Sequence, residues 1–317
     1  MTHSAPFLAP RPTPANPRQI LSAQDLAQLN QRSNWAGGLH FLGHLGVLGV
    51  SGYLWAAAPL GLAIPALGLY GVSLAMMFCA MHECCHRTAF ANPRLNDIAA
   101  WLAGLLSFYN STFYRRYHKW HHRYTQIPGK DPELGDPKPT TWGTYLGQLT
   151  GIPWWIGKVR GHSRVALGQL EDCFFLPESA YGEVVHSVRW QLGVYGAVTA
   201  IAVLLGHPWF LVTYWFLPLA VGQPLLRFVL LAEHTGCPQE DNPLTNTRTT
   251  LTLWPLRWLM WNMPFHAEHH LYPSIPFQSL PQTHAQLQTY FDRVESGYIQ
   301  VNRSITATFQ GIPEAKQ

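Results

Sequence analysis

Charge is scarce in this chain: Asp, Glu, Lys and Arg make up 12% of its 317 residues, against roughly 25% in ordinary soluble proteins. That deficit disfavours two water-soluble domains and favours one membrane domain. Cysteine is sparse as well. Cys79, Cys84, Cys85, Cys173 and Cys237 form an odd set without a Cys-x-x-Cys pair, so neither a disulfide framework nor an iron–sulfur or rubredoxin-like centre is indicated. No Gly-x-Gly-x-x-Gly opens a strand–helix unit, which leaves no built-in nicotinamide or flavin site. The net charge of +4 does not point to nucleic acid, because the basic residues gather in one middle stretch expected to face a membrane. Residues 1 to 30 are polar and Pro-rich and lack the apolar core of a cleavable signal peptide.

Aromatic and apolar residues are plentiful. Aromatics make up 13% of the chain, with 13 Trp lying largely beside apolar runs, as expected of side chains anchored at headgroup level. Mean hydropathy near zero, −0.02, then describes apolar spans joined to a polar portion. Four segments approach the roughly 20 residues a spanning helix needs: about 35–57, 60–81, 190–205 and 209–232. Each pair is joined by a few residues, so the expected fold is all-α, with four transmembrane helices in two hairpins. The short hairpin loops hold no Lys or Arg, whereas between the hairpins eleven stand from Arg87 to Arg164 alone. By the positive-inside rule that stretch and both termini are expected to be cytoplasmic. The expected organisation is a polar N-terminal segment (1–34), a membrane domain (35–281) with a helical cytoplasmic cap from 82–189 and 233–281, and a cytoplasmic C-terminal segment (282–317). The stretch 101–109 reads as a re-entrant or buried helix, 142–176 as amphipathic cap helices, and the tail after Gly311 as disordered.

Histidine carries the chemistry. His82 and His86 stand in "MHECCH", His118, His121 and His122 in "YHKWHH", and His266, His269 and His270 in "FHAEHH"; His234 in "LAEHTGC" is the outlier. Nine imidazoles exceed what one zinc accepts, and two metals is the simplest count. The spacings i,i+4 and i,i+3,i+4 put each cluster on one helical face. All nine fall on the cytoplasmic side of the expected topology. By contrast, His3, His162, His186, His207 and His284 are read as solvated or hydrogen-bonded, and His40 and His44 as packed or outer-shell residues. "HECCH" also fits the zinc-protease motif His-Glu-x-x-His, but that reading leaves seven histidines unexplained. A haem-binding electron carrier is the other alternative, and it would place its ligands within the bilayer.

Together with "HECCHRTAF", "YHKWHHRYTQIPGKDPEL" and "NMPFHAEHHLYPSIPF", the order of the clusters resembles the integral-membrane fatty acid desaturase and hydroxylase superfamily over about 35–281. The resemblance implies that the nine histidines hold a non-haem di-iron centre at the cytoplasmic membrane face, His234 completing the set. It further implies O2 as co-substrate, a fatty acyl or other lipid substrate, and a separate ferredoxin, rubredoxin or cytochrome b5-type electron donor, since no His-Pro-Gly-Gly haem motif is fused to the chain. Acyl-lipid desaturation is the first expectation; hydroxylation or ketolation of a fatty acid, alkane, carotenoid or sphingolipid is the second. The expected location is a bacterial inner membrane. Ligating histidines commonly donate their second N–H to carboxylates or carbonyls, and Glu83, Glu233, Glu268, Asp97 and Asp131 are the expected acceptors.

Overall fold

The structure, a computed structural model, describes residues 16–310. The expected disordered tail after Gly311 lies outside the described residues. After the short α1 (Ala23–Leu29), α2 (Asn34–Ala57) and α3 (Leu60–Cys85) form the first hairpin. Ser33 starts α2 by accepting a hydrogen bond from Ala36 N at 3.2 Å, the usual role of a serine N-cap. The turn at Ala58 and Pro59 is tight, as expected. α4 (Pro93–Ser107) and α5 (Ser111–Tyr124) follow. Asn92 caps α4 and Asn110 caps α5, at 2.9 Å to Arg94 N and to Phe113 N. α4 takes in 101–107 of the stretch read as re-entrant and extends it by about two turns towards its N-terminus, while Phe108 and Tyr109 lie beyond its end. Between the two helices Phe108 takes a left-handed backbone, φ 62°, which turns the chain sharply enough to stack α5 on the end of α3.

α6 (Trp142–Leu149) and α7 (Ile152–Ala166) occupy the region expected to be amphipathic, and residues 167–177 beyond them form no further helix. The second long pair is α8 (Tyr181–Leu204) and α9 (Leu217–His234). A π-helical turn, Val212–Phe216, leads into α9. Such a turn widens the backbone and loosens its internal hydrogen bonding, and side chains fill in: Trp55 Nε1 donates to Thr213 O (3.1 Å) and Tyr70 Oη to Tyr214 O (2.8 Å).

Among the described residues three helical stretches are long and apolar enough to cross a membrane: Leu60–Cys85, Glu178–Leu204 and Val212–His234. The expected first span, α2, is 24 residues long, but its six glycines, Asn34, His40, His44 and Ser51 dilute its apolar character. α3 and α9 meet at backbone contact. A Cβ on Gly222 would lie 1.9 Å from Gly71 O, and one on Gly71 would lie 2.3 Å from Pro218 O, so only glycine fits either position.

The C-terminal part consists of α10 (Trp254–Leu259), α11 (His266–Leu271), α12 (Leu280–Leu287) and α13 (Tyr298–Ala307), with two short strands, β1 (Thr249–Thr250) and β2 (Val294–Glu295), paired in parallel. The boundary expected after residue 281 coincides with no structural break. Leu287 is buried, Tyr298, Val301 and Ile305 join the main apolar core, and Asn302 Nδ2 donates to Phe228 O on α9 at 3.1 Å.

Candidate metal centre

All nine histidines singled out by spacing converge. α3 carries His82 in its last turn, with His86 at its C-cap; α5 carries His118, His121 and His122; α9 ends on His234; and α11 presents His266, His269 and His270. The end of α9 is held by Arg248, whose guanidinium donates to Ala232 O and Thr235 O, satisfying carbonyls that a helix end leaves open.

The imidazoles fall into two groups. His82, His86, His118, His122 and His269 have ligand atoms within 4.8 Å of one another, as do His121, His234 and His270. His266 joins the second group, with its Nε2 at 3.0 Å from His234 Nε2. In the first group His122 Nε2 lies 2.9 Å from His118 Nε2 and 3.1 Å from His269 Nε2. One imidazole proton cannot satisfy such converging nitrogens, and His82 Nε2, His86 Nε2 and His270 Nε2 have no hydrogen-bond partner at all. A metal accepts lone pairs from many directions and fits this donor set.

Burial favours the neutral ligating form. It pushes His86 down to about 3 and holds His118, His122, His266, His269 and His270 well below their usual value, because a charged imidazole loses its hydration there. His121 departs from this pattern. Burial opposes its charge, but Glu133 and Asp131 outweigh burial and raise it.

The second group is oriented from behind. His121 Nδ1 donates to Asp131 Oδ1 at 2.9 Å. Asp131 also accepts from Gln126 N (2.8 Å) and Glu133 N (2.9 Å); burial works against its ionised form, yet these donors hold its carboxyl below the usual range. His234 Nδ1 lies 3.2 Å from Asn246 O, and a carbonyl only accepts, so Nδ1 carries the proton. Thr125 Oγ1 gives its proton to His121 O (2.8 Å) and accepts from His270 Nδ1 at 3.1 Å. In all three rings the proton is on Nδ1, and the lone pair on Nε2 is left for a metal.

The carboxylates named from sequence are placed differently from one another. Asp131 braces a ligand. Glu233 Oε2 stands 3.6 Å from His266 Nε2, with Oε1 buried and unpartnered. Glu268 reaches no member of the nine: it pairs with His284 Nδ1 at 2.5 Å and with Thr249 Oγ1. Glu83 accepts from Phe277 N at 3.0 Å and so ties the end of α3 to the loop after α11. Held there, away from solvent, Glu83 is not placed as the general base of a His-Glu-x-x-His zinc site. Asp97 is a correction. It lies at the surface, clamped by Arg87 (2.9 Å) and Arg115 (2.6 Å), and contacts none of the nine.

Sequence reasoning missed four residues here. Glu133 Oε2 is 3.7 Å from His121 Nε2, and Glu133 groups with His118 and His121 as a further set able to hold a metal. Thr125 and Asn246 orient two rings. His284, read as having no role, fixes Glu268. Only Glu133 had a visible signal, an acid two residues beyond Asp131 in the same loop. As expected, His40 and His44 are packing residues: His44 bridges Ser73 O (3.0 Å) and Trp261 Nε1 (3.1 Å), and His40 bonds Trp258 O (2.9 Å).

These features define a mostly helical protein with three candidate membrane-spanning helices and a buried histidine cluster able to hold metal. Residues 53–302 match the fatty acid desaturase family, and the chain belongs to that family; it is an oxidoreductase by class. Similar proteins include an sn-1 oleoyl-lipid 12-desaturase of Picosynechococcus sp., 25% identical over 74% of this chain and 72% of the relative. A sphingolipid delta(4)-desaturase of Arabidopsis thaliana is 26% identical, covering 69% of this chain and 61% of the relative. A delta(5) fatty acid desaturase of Caenorhabditis elegans is 25% identical, covering 68% of this chain and 55% of the relative. The chain thus spans between just over half and just under three quarters of the length of these relatives.

Proposed function

We propose that this desaturase introduces a C=C bond into the acyl chain of a membrane lipid, using O2 and two non-haem irons held by the nine histidines. The observation that carries the reading is the division of nine imidazoles, seven of them buried, into adjacent groups of five and four, with three rings of one group aimed by Asp131, Asn246 and Thr125. Imidazole suits several transition metals, and iron is the one whose oxygen chemistry matches the family. When bound, the di-iron centre supplies the oxidising power that an unactivated C–H bond demands. The chain's own residues do the rest. The nine imidazoles would hold the two metals, Asp131 balances charge at His121, and the buried surroundings would exclude bulk water from the substrate. Asp131 is committed to His121; Glu133 and Glu233, 3.7 and 3.6 Å from the Nε2 atoms of His121 and His266, are the remaining acids beside the imidazoles available to take up or release protons as water forms.

In this reading α2 is the fourth transmembrane helix, and the histidines, cap and termini face the cytoplasm of a bacterial inner membrane. Lys119, Arg123 and Lys130 are exposed beside the inward-facing histidines of α5. They offer a basic surface to an acidic, separately encoded electron carrier, for which charge complementarity speeds encounter.

The test is expression in a host whose lipids are read by mass spectrometry, with iron counted in the purified protein. New double bonds and two irons per chain are expected. Added oxygen without new double bonds replaces desaturation by hydroxylation, and one zinc per chain overturns the di-iron assignment. Reduction by the carrier should slow as salt is raised; insensitivity to salt overturns the docking surface.

A further inference from the structure

Away from the imidazoles, two cations share one pair of aromatic rings without a carboxylate partner. Lys158 on α7 places Nζ 3.6 Å from the centre of the Tyr109 ring and 6.0 Å from that of Trp154. Arg227 on α9 lies 5.5 Å over the same Trp154 ring, and its Nη2 donates to Tyr109 Oη at 3.1 Å. Asp136 and Glu233 act on Lys158 and Arg227 electrostatically, yet neither forms an ion pair with them; Glu233 turns to His266.

The hydrogen-bond inventory leaves donors over. Tyr109 Oη accepts from both Arg227 and Trp154 Nε1 (3.0 Å), and its own proton has no acceptor among the described residues. Arg227 Nε is buried and unpartnered, and Lys158 Nζ makes no hydrogen bond among the described residues. One turn earlier on the same face of α9, Gln223 is fully buried with both side-chain polar atoms unpartnered. Its Cβ abuts Gly151, at the turn that opens α7. An arginine within a membrane-spanning stretch is costly and marks function by default. Both cations are half-buried, and cation–π contact returns less than removing a charge from water costs. The unmatched positive charge and spare N–H and O–H groups call for an oxyanion.

We propose that Tyr109, Lys158, Gln223 and Arg227 bind the anionic head of the lipid substrate, a carboxylate or phosphate, at the seam between α7 and α9. The inference rests on the acyl-lipid reading of the metal centre. Arg227 precedes His234 by seven residues on one helix, about 10 Å of rise, so a head bound here leaves a stretch of chain several methylenes long to reach the metals. Burial, followed by the charge of Arg227, pulls Lys158 down to about 7, and a bound anion would restore its full charge.

The test is equilibrium binding of radiolabelled oleate, dioleoyl phosphatidic acid and uncharged dioleoylglycerol to the iron-loaded, full-length protein without oxygen, so that no turnover intervenes. At least one anionic lipid should bind about tenfold or more tighter than dioleoylglycerol, the scale of a buried charge contact. The tighter of oleate and phosphatidic acid names the head as carboxylate or phosphate. Lys158→Met and, separately, Tyr109→Phe should erase or shrink that preference with iron content unchanged, and Arg227→Lys should retain part of what Arg227→Met loses. Equal affinity for all three lipids, or a preference that survives both Lys158→Met and Arg227→Met, overturns the inference. Because binding is read without turnover, a failed desaturation assay leaves this result standing, and a failed binding assay leaves desaturation untouched.

Discussion

The two imidazole groups are made of the same residue type but held in different ways. In the group of four, His121, His234 and His270 each give the Nδ1 proton to a fixed acceptor, and hydrogen bonds set the orientation of these three rings; only His266 Nδ1 is buried without a partner. In the group of five, His118 Nδ1 and His122 Nδ1 are buried without partners, and packing takes over: His118 stacks on Tyr114 at 5.0 Å between centroids, 14° from parallel. Hydrogen-bonded ligands keep their aim without metal, whereas packed rings can turn. The braced rings are therefore pre-organised, and the packed group would depend on a bound ion for final alignment.

The largest effect should come from His122→Ala. His122 Nε2 sits between His118 and His269, and its loss should cut turnover by more than about a hundredfold, beyond what outer partners cost, and halve the bound iron; full occupancy by metal analysis would show that the group of five is not one site. Next is Gly222→Ala. A methyl group forced against the Gly71 carbonyl should cost about 1–3 kcal/mol of stability, seen as a lower unfolding temperature, and lower iron in both groups together. Asp131→Asn should reduce metal affinity or turnover about 10–100-fold through the braced group alone, which a metal titration resolves as one weakened and one unchanged site. Thr125→Val should act in the same direction at the low end, about tenfold. Equal weakening of both sites in these two variants would erase the distinction between the groups. The smallest effect is at the acid end. Asp131 is held below its unfolded value of 3.8, so its contribution to stability is complete above that value and fades as pH falls through the folded one; Asp131→Asn should flatten that part of an acid-unfolding curve.

Much of this arrangement was legible in the sequence because it is local. Spacings of three and four residues put His118, His121 and His122 on one face of α5, and no distant contact was needed to see it. The long apolar stretches were legible for the same reason, although α2 shows that glycine and histidine can dilute a helix of sufficient length. What escaped depends on distant pairing. Asn246 and Thr125 look ordinary until folding brings them to His234 and His270, and His284 looked idle until α12 packed beside Glu268. Asp97 failed in the opposite sense: acidic and close in sequence to His86, it is captured by two arginines. The packing of 282–310 is likewise not legible, since the periodicity of α13 does not reveal that Tyr298, Val301 and Ile305 join the main apolar core.

The close contact of Gly71 with Gly222 also acts as a gauge. His82 lies eleven residues beyond Gly71 and His234 twelve beyond Gly222, about 16 and 18 Å of helix respectively, and both helices run from that contact to the histidine cluster. The pair resembles dividers with legs of nearly equal length, hinged where no side chain can intervene. Opening the hinge by the width of one methyl group would spread the tips. One tip belongs to the group of five and the other to the group of four, so the separation of the two imidazole groups is set deep in the apolar layer, far from the rings themselves.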